Sequence, residues 1–262
     1  MAGAGRPSGG SATRSERLAR WGVQAAFVGL LLLSWHLATA GGMVSPLFLP
    51  KPADVFASFV EILVTGAFVR DLQVTLYEFA MAAPIAIVLG TAVGYLISRT
   101  RYSTLVFEPV VASLYAVPII VFYPISVLVF GVGAESKIAH GAMFGFFPVC
   151  LNTAQGFARV DQGYLRLAKS MGANDRQILR RILIPAALPT ILSGWRMGLT
   201  LSFLAIIGSE TIASLEGLGH RIVWYAEGMR TVPMFAFILF VIAIVVVVNA
   251  LLSKLESMGR RE

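Results

Sequence analysis

The chain has 262 residues, 57% of them hydrophobic and only 13% charged, with a formal net charge of +7. A soluble globular domain does not carry that balance. The sequence therefore reads as an integral membrane protein, and its excess of basic residues becomes a question of topology rather than of nucleic-acid binding. The single cysteine, Cys150, excludes an intrachain disulfide and reads as a small buried hydrophobe.

Residues 1–20, rich in Gly, Ser and Arg, predict a disordered tail. A bilayer core of roughly 30 Å takes about 20 residues of helix. Six runs reach that length: 21–40, 72–98, 109–134, 138–158, 184–209 and 231–253. A cleavable signal peptide is the rival reading of the first run, but about 20 residues precede it and it spans a bilayer by itself. Between the first two runs, Phe56, Phe59, Val60 and Leu63 share one helical face, predicting a short interfacial helix. Glu78, close to the start of the second span, reads as structural.

The third run is interrupted by Pro118 and Pro124, with Gly131 and Gly133 beyond, so it is the best candidate to line a pathway. Tyr115, Tyr123, Ser126, Asn152, Thr153, Gln155 and Ser202 are the neutral hydrogen-bonding groups near mid-span that could join it. Each could equally bond a neighbouring helix. Arg196 lies within the fifth span, where a charge is expensive unless it snorkels or pairs, and Glu108 is its expected partner. Glu210, further along the same span, reads as a gate residue or an interfacial one. The connection 214–231, "SLEGLGHRIVWYAEGMRT", predicts a short re-entrant or external segment. His36, His140 and His220 have no metal-ligand spacing. A short tail, 258–262, ends the chain.

Six spans put both termini on one side, and the basic residues choose it. Fifteen fall before the first span, after the second, after the fourth and after the last; five fall on the opposite side: Lys51, Arg70, Lys137, Arg221 and Arg230. The expected topology has both termini and the stretch 164–189 in the cytoplasm.

That stretch, "YLRLAKSMGANDRQILRRILIPAALP", holds five basic residues and one acid, Asp175. Tyr164, Leu167, Ala168 and Met171 recur at i, i+3, i+4 and i+7, predicting an amphipathic helix with Arg166, Lys169 and Ser170 on its other face. Gly172 is placed to end it, and Asn174 with Gln177 approximates a capping box for a second helix. A basic loop that merely sets topology would need none of these devices. A DNA-binding helix-turn-helix shares the grammar, but both ends are tethered to membrane spans. A docking element for a cytosolic partner accounts for more of the pattern.

"LAKSMGANDRQILRRILIP" resembles the cytoplasmic signature of ATP-binding-cassette importer permeases: Glu-Ala-Ala, Gly three residues later, and Ile-x-Leu-Pro ten residues beyond. Ala168, Gly172, Ile182 and Pro185 keep that pattern, whereas Arg166 stands for Glu, Leu167 for the first Ala and Ile184 for Leu. The resemblance extends through 49–58, 108–139, "FFPVCLNTAQGF" and "GLGHRI". Taken together it looks like the permease subfamily that serves nitrate, sulfonate, taurine, bicarbonate and thiamine-precursor importers.

The resemblance implies an all-α importer-permease fold over 21–257, with six transmembrane helices and coupling helices at 163–184. It implies that the chain is a transport subunit of a bacterial inner membrane, not an enzyme. A second copy or close paralogue would complete the pathway, and a periplasmic or lipid-anchored binding protein would deliver substrate. Two cytosolic ATPases would dock on Tyr164, Arg166, Leu167, Ala168, Lys169, Ser170, Met171, Gly172 and Ala173. The chain has no Gly-x-x-x-x-Gly-Lys-Ser/Thr run, so ATP and Mg belong to those ATPases. No cofactor, metal or nucleic acid is expected on this chain, and membrane lipid surrounds it. An ion-coupled secondary transporter is the rival; it would be expected to show inverted repeats or buried carboxylates, whereas the acids here lie near span ends.

Overall fold

The computed structural model describes residues 14–42 and 44–259, and no strand occurs among them. Residues 1–13 of the predicted tail, and 260–262 of the C-terminal one, lie outside the described residues. The first helix, α1 (Arg14–Ala40), begins ahead of the predicted span. α2 (Pro52–Thr65) opens with proline in its first turn, where the missing N–H costs nothing, and closes at Gly66 with φ 68°. It is the predicted short helix. Val55 and Ile62 form its buried side, while Phe56, Val60 and Leu63 remain exposed.

There follow α3 (Val69–Ser98), α4 (Arg101–Ala116), a short 3-10 turn (Ile119–Phe122), α5 (Tyr123–Phe130) and α6 (Ala134–Ala158). Val117 and Pro118 are extended, and the chain bends by 76° between the two halves of this third predicted span. Pro118 therefore breaks the helix as expected, whereas Pro124 sits in the first turn of α5, which tolerates it. Beyond α6 lie α7 (Gln162–Ser170), α8 (Asp175–Ile178), α9 (Ile184–Ile212), α10 (Leu218–Glu227) and α11 (Thr231–Gly259).

The core is three helices. α6 lies between α3 and α9 and packs on both along most of its length. Gly90 of α3 meets Val149, and Gly94 meets Cys150 and Thr153, so α3 and α6 run in the same direction. Gly141 meets Ile206 whereas Gly156 meets Ala187, so α9 runs back against α6. Backbones meet most directly at Gly145 and Gly198, where a Cβ on Gly198 would stand 2.6 Å from the Gly145 carbonyl oxygen and one on Gly145 3.0 Å from the Gly198 carbonyl oxygen. Small residues at such a seam let backbones approach where lipid supplies no hydrophobic drive for helix pairing. Cys150 is buried with Ile97 and Ala154 between α3 and α6.

A second cluster joins Val55 and Ile62 of α2 to Phe203 of α9, Leu218 of α10 and Phe237 and Phe240 of α11. α1 stands apart, fastened by Trp35, whose indole N–H donates to the Pro50 carbonyl at 2.9 Å. Most of its large apolar side chains are exposed, as a lipid-facing helix requires.

Among the described residues, four helical stretches are long and apolar enough to cross a membrane: Trp21–Ala40, Val69–Ser98, Asp175–Ile212 and Thr231–Lys254. The bent pair makes a fifth. α6 has 25 residues but lacks the apolar run, because Ser136, Lys137, His140 and Thr153 are buried along it. Its surroundings are protein, so it does not need the hydropathy of a lipid-facing helix.

Gly198→Leu should lower stability by about 1–3 kcal/mol through overpacking at this seam, read as a lower unfolding temperature in detergent. Gly29→Leu, on a face with nothing within 4 Å, should leave that temperature unchanged.

Candidate functional site

The end of the bundle at which α6 stops and α9 starts carries α7. Asp161 caps it by accepting from the Gly163 N–H at 2.7 Å. At the other end Gly172 adopts φ 80°. The Ala173 N–H bonds back to the Ala168 carbonyl and the Gly172 N–H to the Lys169 carbonyl, both at 3.0 Å, which closes the helix in a Schellman turn. Open space surrounds a Cβ at Gly172, so glycine is needed there for its backbone conformation, not for close packing. Asn174 and Gln177 form the predicted capping box, each side chain accepting from the other's backbone N–H at 2.9 Å.

No residue of α7 is buried. Tyr164 is 64% exposed, Leu167 59% and Met171 78%. Arg166, Lys169, Ser170 and Gly172 are exposed too, while Ala168 and Ala173 are half-buried toward the body of the protein. The large side chains of the predicted apolar stripe thus face outward, mostly uncovered by the described residues.

α8 and α9 are not separate helices. A π-turn, Leu179–Leu183, joins them, with the Ile184 N–H bonding the Leu179 carbonyl. Asp175–Ile212 is one helical stretch of 38 residues. No break separates the second helix from the span at Pro185, since the wider turn takes up the irregularity that a proline without an N–H imposes. The turn beside α7 is therefore continuous with the helix that packs on α6.

The opposite end of the bundle holds a buried polar network. Asp71 and Thr75 of α3 and Glu210 of α9 converge on the first turn of α10. Asp71 Oδ1 accepts from the Gly217 N–H at 3.2 Å, Thr75 Oγ1 from the Leu218 N–H at 3.0 Å and Glu210 Oε2 from the Gly219 N–H at 2.8 Å. Thr75 Oγ1 donates to Glu210 Oε1 at 2.6 Å, and Arg221 Nε donates to Asp71 Oδ2 at 2.7 Å. The unpaired amides and positive dipole end of a helix are the natural partner of a buried carboxylate. Gly217 has φ 110°, and a Cβ there would collide with the Glu210 carboxylate, so "GLGHRI" begins with the residue this docking requires. Beside the network, Lys137 Nζ stands 3.4 Å from Glu78 Oε1 and donates to the Gly133 carbonyl at 2.9 Å.

Glu210 and Glu78 are both buried. They lie near span ends, as expected, but neither is a solvated interfacial residue. Asp71, Thr75, Lys137 and Arg221 were not singled out from the sequence. The available signal was Asp71, Thr75 and Glu78 at i, i+4 and i+7, a polar stripe at helical spacing in an apolar run.

The pathway candidates scatter. Tyr115 stacks on Phe147 and opens onto a cavity of about 390 Å³ with Arg196, Thr200 and Asn249. Tyr123 is fully buried, its hydroxyl donating to the Ala213 carbonyl at 2.9 Å. Ser126 is half-buried. Asn152 bonds the Pro148 carbonyl of its own helix at 2.8 Å, Thr153 and Ser202 are buried in the three-helix core, and Glu210 is committed to α10. His140 is buried between the rings of Tyr123 and Phe144.

The expected pair of Arg196 with Glu108 does not form. Arg196 Nη1 donates to Glu256 Oε2 of α11 at 3.1 Å, and Ser193 Oγ donates to Glu256 Oε1 at 2.7 Å. Glu108 Oε1 instead accepts from Gln155 Nε2 at 3.0 Å. α11 packs on α9, so the C-terminal acid reaches Arg196; nothing local in the sequence announces that neighbour.

A double-mutant cycle on Arg196→Ala and Glu256→Ala should give a coupling of about 0.5 kcal/mol or more, whereas Arg196→Ala with Glu108→Ala should be additive in the same unfolding assay. Thr75→Val, which removes a donor to Glu210 and an acceptor from α10, should cost about 1–3 kcal/mol, measured by thermal unfolding in detergent.

Comparison with known proteins agrees with this architecture. Residues 82–258 match the family described as binding-protein-dependent transport system inner membrane component. SsuC of Bacillus subtilis (strain 168), assigned to aliphatic sulfonate transport, is 30% identical over 80% of this chain and 76% of its own length. The taurine transport system permease protein TauC of Escherichia coli (strain K12) is 30% identical over 88% of this chain and 85% of its own. Among solved structures, the methionine ABC transporter MetNI in an inward-facing conformation superposes with a TM-score of 0.63 at 19% identity, covering 73% of this chain and 95% of that one. An exposed apolar helix at one end, a three-helix core and a capped polar network at the other thus lie on a multi-pass scaffold of known kind: the chain belongs to the family of binding-protein-dependent transport system inner membrane components.

Proposed function

We propose that this chain is the transmembrane subunit of an ATP-driven importer of a small solute, with sulfonates, taurine, nitrate and related small organic compounds as the substrate class. Two copies, or one copy and a close paralogue, form the pathway. Two cytosolic ATPases, which hold ATP and Mg, dock on α7 from the cytoplasm, and a periplasmic or lipid-anchored binding protein delivers solute at the other end. The termini lie on the ATPase side.

The observation that carries this reading is α7 itself. Tyr164, Leu167 and Met171 are exposed on one helix whose two ends are individually capped, so the helix is built to hold its shape while presenting an apolar face. Such a face in water needs a partner. Because Asp175–Ile212 is one helical stretch, a push on α7 reaches the α6–α9 seam without crossing a flexible joint. That is what a two-state rotation of the spans requires. Arg166, where the family signature has Glu, faces outward; the matching ATPase groove should present an acid to it.

Leu167→Glu combined with Met171→Glu should weaken association with the cognate ATPase by about tenfold or more, as removal of a central apolar anchor does. Co-purification and ATP-driven uptake in proteoliposomes measure it. Unchanged association would sink the docking role. Gly172→Val, strained at positive φ, should reduce uptake more than it reduces membrane insertion.

A further inference from the structure

At the end of the bundle that carries α7, a cavity of about 560 Å³ lies between α3 and α9 and reaches Phe157 of α6. Sites for one small ligand fall in the range of about 300–1,000 Å³. The wall is almost wholly apolar. Two of its polar groups satisfy each other, Trp195 Nε1 donating to Thr91 Oγ1 at 2.9 Å. Tyr95 packs edge-on against Phe157, and nothing among the described residues bonds its hydroxyl. Such a wall offers a hydrophilic solute almost no hydrogen bonds in exchange for its lost water, but it suits a hydrocarbon chain.

The helix ends that flank the cavity are basic. They carry Arg99 after α3, and Arg176, Arg180 and Arg181 on α8 and the π-turn, against one acid, Asp175. All five are exposed, and among the described residues none of the four arginines is in an ion pair. Arg99 keeps helical φ and ψ and follows the wall residue Tyr95 by one turn. Arg180 lies in the π-turn between Leu179 and Ile184, both of them wall residues. From this geometry we infer that the cavity holds an acyl chain of an anionic phospholipid, whose phosphate accepts from Arg99 and Arg180. A flat apolar face takes any membrane lipid alike. A concave apolar site between basic helix ends selects by headgroup, each arginine beside an anionic lipid being worth about fivefold in affinity. A second copy meeting this face on a two-fold axis would set the arginines against their own counterparts. The site is independent of what the chain transports, and it lies on the continuous stretch that joins α7 to the core.

The test places the full chain in phosphatidylcholine nanodiscs doped with brominated phosphatidylglycerol or with brominated phosphatidylcholine, and follows tryptophan emission as the doped fraction rises. Trp195 lines the cavity, so a brominated chain bound there quenches it. Its share of the signal is the part that Trp195→Phe removes, in a Trp21→Phe background that silences the exposed ring on α1. Half-maximal quenching of Trp195 should need about tenfold less of the anionic lipid than of the zwitterionic one. Arg99→Gln with Arg180→Gln should bring the two lipids to the same fraction while quenching itself persists. Concentrated salt should narrow the preference in the protein that keeps both arginines, which tests the charge contribution should the double variant misfold. Equal potency of the two lipids, a preference indifferent to salt, or one that survives the double substitution overturns the assignment. Trp195 quenched by neither lipid also overturns it, in favour of a second copy covering the cavity.

Discussion

The approach of α6 to α9 at Gly145 and Gly198 is the contact on which the rest of the molecule depends. With no side chain between the backbones, the two helices act as one slab, and α3 joins it from the other side of α6. A membrane helix gains little from hiding apolar surface, since lipid is as apolar as the protein interior. Close packing and satisfied polar groups must do that work instead, and both kinds of contact occur here along the same three helices.

That slab explains how carboxylates survive inside an apolar chain. Asp71 and Glu210 are carried by α3 and α9, and each accepts a backbone N–H from the first turn of α10. The short helix supplies partial positive charge at a fixed place, and Arg221 supplies a full one. Removing either carboxylate would orphan amides that no water reaches; removing α10 would strand two carboxylates. The network is therefore mutual. It binds α3, α9 and α10 into a unit at one end.

At the other end the same slab carries α7. The π-turn at Leu179–Leu183 keeps the helix unbroken through Pro185, so the turn that follows α7 is joined to the core by helix. The capped ends of α7 keep its exposed face in register with that helix. The turn after α7, the seam and the polar network thus lie along one continuous helix, α9 with its π-turn.

The hydrophobic runs, the basic-residue asymmetry, the proline break in the third span and the caps at Gly172 and Asn174 were all readable in the sequence, because each depends on residues close together in the chain. The amphipathic period of α7 was readable for the same reason. The pairing of Arg196 was not: Glu256 lies on another helix, and only the packing of α11 on α9 selects it over Glu108. The polar stripe Asp71, Thr75 and Glu78 was visible as a spacing, but its meaning depended on a helix whose N-terminus arrives from far along the chain. α6 shows the converse, since it is less apolar than a lipid-facing span and yet lies at the centre of the core. The sequence by itself determined that this is a membrane protein with a short amphipathic helix between two of its spans, since local periodicity and composition carry those facts. Only the tertiary structure decided which charges meet, because a buried ion pair is chosen by proximity in space and not along the chain.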